Sequence, residues 1–214
     1  MRIHDADVVY TDLALALLGA FLAWRFWRRW GRGYLTRAGS TIMAALASAA
    51  FFGAVFHAFF PANTTTRTAF LAWVPVSLSI LAVATTLLSL GLRILVPRLS
   101  AGVRRAIVVA YATGFAAVVL FVDQSYETIV RFYAPTLVLF LIAALREATR
   151  RAGPGWWPLA LSFGLSIVAA VLQQARIALH PVYFDHNALY HVLQGIALVL
   201  LYVGFRDVSR PHPA

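Results

Sequence analysis

Two histidines lie within otherwise apolar stretches of the sequence, and their type and position make them the best candidates for chemistry. His57 ends a stretch in which the small residues Ala45, Ala49 and Gly53 recur every four residues, so a neighbouring helix can approach that face closely. His191 lies near the start of the last apolar stretch. An ionisable group is costly in lipid and normally faces the interior of a helix bundle. We therefore expect both imidazoles to face a common interior.

The last apolar stretch carries a polar stripe. Asn187 and His191 are four residues apart and Gln194 follows three residues later, so all three share one face of a helix. Two imidazoles on facing helices and a nearby carboxylate would make a three-ligand zinc site with an open position for water. Zinc-bound water can attack a carbonyl. The simpler alternative is that both rings are neutral and hydrogen-bonded, with Asp185 capping the last helix. Both interpretations stay open from the residues alone.

The elements that must position these residues are predicted to be membrane-spanning helices. Hydrophobic residues make up 61% of the 214 residues and charged residues only 12%, and the mean hydropathy is +0.78. Soluble domains carry about 25% charged residues, and a spanning helix needs about 20 apolar residues. We predict an all-α integral membrane protein, a single domain over residues 1–214, with helices 1 to 7 at 8–27, 39–60, 69–96, 105–122, 126–145, 156–179 and 187–205.

Merging the fourth and fifth helices would give six, but that helix would be too long for a bilayer. It would also place Asp123 and Glu127 in lipid.

Arginines cluster after helices 1, 3, 5 and 7, which are alternate connections. The exceptions among 18 arginines are Arg2, Arg67, Arg131 and Arg176. Because cytoplasmic loops carry the basic excess, we predict the N-terminus outside and the C-terminus in the cytoplasm.

Composition excludes several classes of function. The sequence contains no Lys, so it cannot form the Schiff base that a retinal protein needs. It contains no Cys, so thiolate chemistry and disulfides are also excluded. The net charge of +10 comes from short arginine clusters between apolar stretches, which is typical of membrane topology rather than of nucleic-acid binding. A solute transporter is disfavoured because no inverted repeat and no pair of broken helices is evident.

At these residues the chain resembles the CREST superfamily of seven-helix membrane proteins, which includes the alkaline ceramidases and the progestin and adipoQ receptors. The segment 187–193, Asn-Ala-Leu-Tyr-His-Val-Leu, resembles the ceramidase phrase His-Ala-Leu-Trp-His-Val-Leu. The segment 53–58, Gly-Ala-Val-Phe-His-Ala, resembles the family's Ser-x-x-Phe-His-Ala/Thr. The likeness is greatest to bacterial members of the group. It implies an integral protein of the bacterial inner membrane and a lipid substrate or ligand.

The resemblance implies zinc bound by one His in helix 2 and two in helix 7. His57 and His191 match two of these ligands, but Asn187 stands at the third position and Gly53 replaces the family's Ser. The family's acid at the start of helix 3 would fall near Thr68. A replacement ligand is expected from His186 or Asp185. On a regular helix His186 would point about 140° away from His191, so this needs a non-helical backbone after Pro181. Asp12, Asp123 and Glu127 are further candidates.

The leading hypothesis is therefore a zinc-dependent hydrolase of a lipid amide or ester, with its site at the outer ends of helices 2 and 7. In it, His57, His191 and either His186 or Asp185 bind zinc, and Asp123 or Glu127 acts as the general base or orients a ligand. Asn187, Gln194, Asp12 and Gly53 line the pocket or support the ligands. The alternative is a non-catalytic lipid-binding or sensing protein that keeps a degenerate metal site.

Overall fold

A computed structural model describes residues 4–29, 33–61, 66–150, 153–180 and 183–210 of the protein. These residues form seven α-helices, and the only other pairing among them is an isolated bridge between His180 and Phe184. All seven helices are long and apolar enough to cross a membrane. Their bounds are α1 Ala6–Arg29, α2 Tyr34–Phe59, α3 Arg67–Leu95, α4 Ala101–Phe121, α5 Tyr126–Thr149, α6 Trp156–Gln174 and α7 His186–Val208.

The predicted number and order of helices are confirmed, and α4 and α5 are separate. The predicted end of the sixth helix at residue 179 is wrong, because α6 ends at Gln174. Arg176 adopts a positive φ of 54°, and the amides of Arg176 and Ile177 donate to the carbonyls of Gln173 and Leu172. Such a left-handed residue with paired bonds back to the last turn closes a helix whatever the hydropathy beyond it. Arg2, Arg32, Arg151 and Pro181 lie outside the described residues.

Short polar side chains begin four of the helices. Thr66, Ser100, Ser125 and Asp185 each accept a hydrogen bond from a backbone amide of the first turn of α3, α4, α5 and α7, respectively. Such caps satisfy amides that have no partner within the helix. Because the connections are short, successive helices run in opposite directions. We call the end of the bundle at which α1, α3, α5 and α7 start the site end, and the opposite end the arginine end.

The densest packing lies towards the arginine end. Phe26 of α1, Phe140 of α5 and Phe205 of α7 are fully buried there. Gly39 of α2 permits this packing, because a Cβ at that position would lie 2.8 Å from the Phe205 ring. α4 is peripheral, and Phe115 is one of only two residues of that helix that are buried. The tight core at one end leaves room for an internal cavity at the other.

Candidate functional site

The site end encloses a cavity of about 280 Å³ to which six helices contribute. One wall is apolar, with residues such as Leu46, Trp73 and Ile80. The rest of the lining is polar. Its side chains belong to α1, α2, α5, α6 and α7, and they are Asp12, His57, Tyr126, Gln173, Asn187, Tyr190, His191 and Gln194. The two histidines singled out in the sequence therefore line one common cavity.

His191 of α7 is held by α1 through both ring nitrogens. Its Nδ1 lies 3.1 Å from Thr11 Oγ1, and its Nε2 lies 3.2 Å from Asp12 Oδ1. The Thr11 hydroxyl donates to carbonyls of its own helix, at 2.9 Å from the Asp7 oxygen and 3.0 Å from that of Val8. When the Thr11 hydrogen is used in this way, Thr11 Oγ1 accepts from the Nδ1–H of His191, and the Nε2 lone pair then faces the Asp12 carboxylate. Two such acceptors require a proton or a cation between them.

His57 of α2 is oriented in a similar way. Its Nδ1 lies 3.2 Å from Asp5 Oδ2, and the Asp5 amide lies 3.4 Å from the His57 carbonyl oxygen. A carboxylate accepts hydrogen bonds, so Nδ1 carries the proton and Nε2 is the nitrogen available to a ligand. Metal-binding histidines usually donate their second N–H to an oxygen acceptor in this manner. Asp5 and Thr11 supply that acceptor for His57 and His191, respectively.

Gly53 explains how Asp12 can lie so close to α2. A Cβ built at Gly53 would lie 3.0 Å from Asp12 Oδ2. Gly53 is one helical turn before His57, so the missing side chain lets the carboxylate approach the surface of α2 just below the imidazole. The Asp12 side chain is only 5% exposed and that of His191 only 11%. The three residues Asp12, His57 and His191 form the polar centre of the cavity.

Asn187 belongs to a separate hydrogen-bonded chain at the rim of the cavity. The Tyr126 hydroxyl donates to Gln173 Oε1 at 2.8 Å, and Gln173 Nε2 donates to Asn187 Oδ1 at 2.9 Å. Asn187 Nδ2 lies 3.3 Å from Asp185 Oδ2. Both ends of the Asn187 amide are therefore occupied. Gln194 accepts from the Ser166 hydroxyl at 3.1 Å and is also hydrogen-bonded to the side chain of Tyr190, which lines the same cavity.

The structure does not bring Asp185 or His186 into the cavity lining. Asp185 caps α7, because its Oδ1 accepts from the amides of Asn187 and Ala188, both at 2.8 Å. The Asp185 amide in turn donates to Asp7 Oδ2 at 3.2 Å. His186 is the first residue of α7, and its Nδ1 lies 3.8 Å from Asp185 Oδ2. The described backbone at this position does not bring His186 over the face that carries His191.

Asp123 and Glu127 also lie outside the cavity lining. Asp123 lies in the turn between α4 and α5, where it accepts hydrogen bonds from the Thr128 hydroxyl and from the amide and hydroxyl of Ser125. These bonds, chiefly the one from Thr128, lower the pKa of the Asp123 carboxyl. Glu127 is exposed and lies 3.9 Å from Arg131. Both acids are placed to stabilise the start of α5 rather than to contact a ligand in the cavity.

The donor atoms around His191 fit a metal in part. Two ligands at about 2.0–2.1 Å from a tetrahedral zinc lie about 3.3 Å apart, close to the 3.2 Å between His191 Nε2 and Asp12 Oδ1. A hydrogen bond with a shared proton has the same length. Within the described ranges, no three His, Asp or Glu side chains converge into a formed metal site. Two imidazoles and one carboxylate are ligands that zinc accepts, and of these side chains His191 and Asp12 lie at a suitable separation.

Sequence reasoning did not assign roles to Asp5, Thr11 and Tyr126. Thr11 precedes Asp12 directly, and Asp5 lies before α1, so their sequence signal is only a polar start to an apolar helix. Gln173 lies near the end of α6, and its link from Tyr126 to Asn187 depends on three helices meeting. These contacts join residues more than a dozen positions apart, which no local spacing reveals.

Comparison with known proteins gives one finding on ancestry. A sequence model described as "Family of unknown function (DUF6962)" matches residues 8–210, which covers all seven helices. No curated protein and no solved structure shows a significant match. The match runs from the third residue of α1 to the end of the described residues, so it includes Asp12, His57 and His191. On this evidence of sequence, the chain belongs to the DUF6962 family.

Proposed function

We propose that the protein is a zinc-dependent hydrolase of a lipid amide or ester, with its site at the outer ends of α1, α2 and α7. The observation that carries the proposal is that His57, His191 and Asp12 line one largely apolar cavity, in which His191 and Asp12 are in contact. An acyl chain matches the apolar wall, and an amide or ester group matches the polar one. This division of a pocket into apolar walls and a few oriented polar groups is typical of small-molecule sites.

In this proposal the Nε2 atoms of His57 and His191 and the carboxylate of Asp12 hold the metal. When bound, zinc lowers the pKa of a coordinated water towards neutrality and polarises a carbonyl oxygen. Asp5 and Thr11 fix the two imidazoles by accepting their Nδ1 protons. Gln194 and Tyr190 line the same cavity and supply donors for the substrate's carbonyl or headgroup. Asp12 replaces His186 and Asp185 as the third ligand, because only Asp12 among the described acids lines the cavity.

A second candidate function is non-catalytic lipid binding in the same cavity. It is favoured by the absence of a converged three-ligand cluster among the described side chains. It is also favoured by the occupied amide of Asn187, which stands where the CREST superfamily has a histidine. In this case the Asp12–His191 contact is an ordinary buried hydrogen bond that orders the start of α7.

We also propose that the site end faces the outside of a bacterial inner membrane and the arginine end faces the cytoplasm. The support is the concentration of arginines after α1, α3, α5 and α7. A relationship to the CREST superfamily is part of the same proposal. It is supported by the seven helices and by the positions of His57 and His191 near the site end of α2 and α7.

Metal content is the measurement that separates the two functions. The protein is purified without a polyhistidine tag, and zinc is counted per protein by mass spectrometry. We expect about one zinc in the wild type and a large loss in His57→Ala, His191→Ala and Asp12→Ala, since each removes a ligand. The matched control is His186→Ala, a histidine at the start of the same helix, which should keep its zinc. Release of fatty acid from a lipid amide and a lipid ester is measured in parallel.

The outcomes are distinct. Zinc and hydrolysis lost together in the three variants support the hydrolase. A wild type that remains metal-free after incubation with zinc and still binds the intact lipid supports the non-catalytic function. Loss of zinc in His186→Ala equal to that in His191→Ala would show that the start of α7 unwinds, and Asp12 would then not be the third ligand. Asp12→Asn keeps the shape of the side chain but removes its charge. If this variant is folded and still loses zinc, the loss is due to the missing ligand and not to unfolding.

A further inference from the structure

A second cavity lies at the arginine end, far from the polar centre just described. It is a cleft of about 400 Å³ between the start of α2, the end of α3 and the start of α4. Arg37, Arg93 and Arg104 each come from a different one of these helices and line it. Its lining includes no acidic residue. Three guanidinium groups thus share one concave space without a carboxylate to neutralise them.

The three arginines are not engaged in ion pairs elsewhere. Within the described part of the chain, none of them forms a salt bridge. The Arg93 guanidinium is placed over the ring of Tyr34, with 3.9 Å between its central carbon and the ring centre. Stacking on an aromatic face holds a guanidinium in place and leaves its N–H groups free for an anion. Ser89 adds a hydroxyl donor to the same lining.

The packing of α4 explains why the cleft exists. The two buried residues of α4, Phe115 and Val119, lie in its second half, against α3 and α5. In its first half, Val103 and Ile107 are exposed, and a Cβ built at Gly102 would meet nothing within 4 Å. One face of the first half of α4 is therefore not covered by protein. The cleft is bounded on that side by a helix whose apolar residues remain uncovered by protein.

We propose that this cleft binds the phosphate headgroup of an anionic phospholipid. Arg37, Arg93 and Arg104 hold the phosphate oxygens, and the acyl chains lie along the exposed apolar face of α4. Guanidinium groups match phosphate oxygens with paired, charge-assisted hydrogen bonds. Basic pockets between membrane helices at the cytoplasmic side bind anionic headgroups in this way. The bound lipid closes the gap that α4 leaves beside α3.

The general arginine excess at this end does not by itself account for the cleft. Arg105 is the neighbour of Arg104 on α4 and carries the same charge at the same depth, yet it is not part of the lining. A topology signal needs only charge in the connections. Here three arginines converge from three helices, and Arg93 is held in place by stacking on Tyr34. These additional features are those of a binding site for a single anionic group.

The test uses delipidated protein in a neutral detergent and measures lipid binding by native mass spectrometry. Phosphatidylglycerol should bind at least about tenfold more tightly than phosphatidylcholine. Arg37→Gln, Arg93→Gln and Arg104→Gln should each weaken phosphatidylglycerol binding by about tenfold, as expected for the loss of charge-assisted hydrogen bonds. Arg105→Gln is the matched control and should leave the affinity within about twofold, because Arg105 does not line the cleft and acts on the headgroup only through screened long-range attraction. A thermal unfolding scan of each variant without lipid checks that it is folded.

Other results overturn the proposal. Equal binding of the two lipids would mean that the cleft does not recognise a net negative headgroup. An effect of Arg105→Gln as large as that of Arg104→Gln would mean diffuse attraction rather than a site. Displacement of phosphatidylglycerol by millimolar glycerol 3-phosphate would assign the cleft to a soluble phosphate compound instead. If Arg93→Gln does not fold because Tyr34 loses its partner, the more peripheral Arg37→Gln still decides the matter.

Discussion

The contact between Asp12 and His191 should couple α1 to α7 more strongly than any polar pair at the bundle surface. A double-mutant cycle of Asp12→Ala, His191→Ala and the double variant measures this coupling. The comparison is the cycle of Asp5→Ala and His57→Ala. Both pairs have the same separation of 3.2 Å. They differ in exposure, since the side chains are 5% and 11% exposed in the first pair and 42% and 25% in the second.

The magnitude follows from this difference in exposure. Interhelical hydrogen bonds in a membrane protein average about 0.6 kcal/mol and reach about 1.7 kcal/mol. The Asp12–His191 pair is excluded from water, so water competes little for either group. We expect about 1.5 kcal/mol of coupling, which is roughly tenfold in the unfolding equilibrium. Water and salt screen the Asp5–His57 pair, for which we expect less than about 0.6 kcal/mol.

The assay is reversible unfolding in mixed micelles with an increasing mole fraction of sodium dodecyl sulfate, followed by tryptophan fluorescence. A chelator is present throughout, so metal binding contributes nothing to the measured free energy. The reasoning would be refuted by equal coupling energies in the two cycles. A coupling below about 0.6 kcal/mol for Asp12 and His191 would likewise contradict the expected strengthening of this contact by burial.

Three further predictions concern the fold. Single cysteines at Gly33 and Val122, which lie at opposite ends of the bundle, should react with an impermeant reagent from opposite sides of the membrane, and labelling of both in intact cells would contradict the seven-helix orientation. Gly155→Ala should lower the free energy of unfolding by about 1–3 kcal/mol, because its Cβ would lie 2.5 Å from the Gly204 carbonyl oxygen. Gly164→Ala is the control, because a Cβ at Gly164 would meet no atom within 4 Å, and it should not lower the free energy of unfolding. Equal losses of stability in the two variants would disprove the close approach of Gly155 to Gly204. The pKa of Asp123 is lowered, chiefly by its bond from Thr128, so its stabilisation of the start of α5 is complete well above pH 3.8 and is lost as pH falls below that value. Asp123→Asn should flatten that acid dependence, and an unchanged acid profile would contradict a stabilising role for these bonds.

The sequence alone determined the helices, because apolar length is a local property. Seven stretches long enough to cross a membrane, separated by polar or basic connections, leave little choice of architecture. The same local reasoning located His57 and His191, since an imidazole inside an apolar helix is conspicuous. It also placed Asn187 and Gln194 on the face of His191, because helical periodicity relates residues within one helix. The end of α6 was misplaced because backbone geometry at Arg176, not hydropathy, closes that helix.

Only the tertiary structure decided which acid lies beside His191. Asp185 and His186 are nearest to His191 in sequence, yet Asp185 caps α7 and His186 stays beside it. Asp12 comes from a different helix, and it reaches His191 because α1 packs between α2 and α7 and Gly53 leaves space for its carboxylate. Helical periodicity sets the face of each helix but not its rotation or distance relative to its neighbours. Those depend on how side chains of different helices interlock, and the composition of the site follows from them.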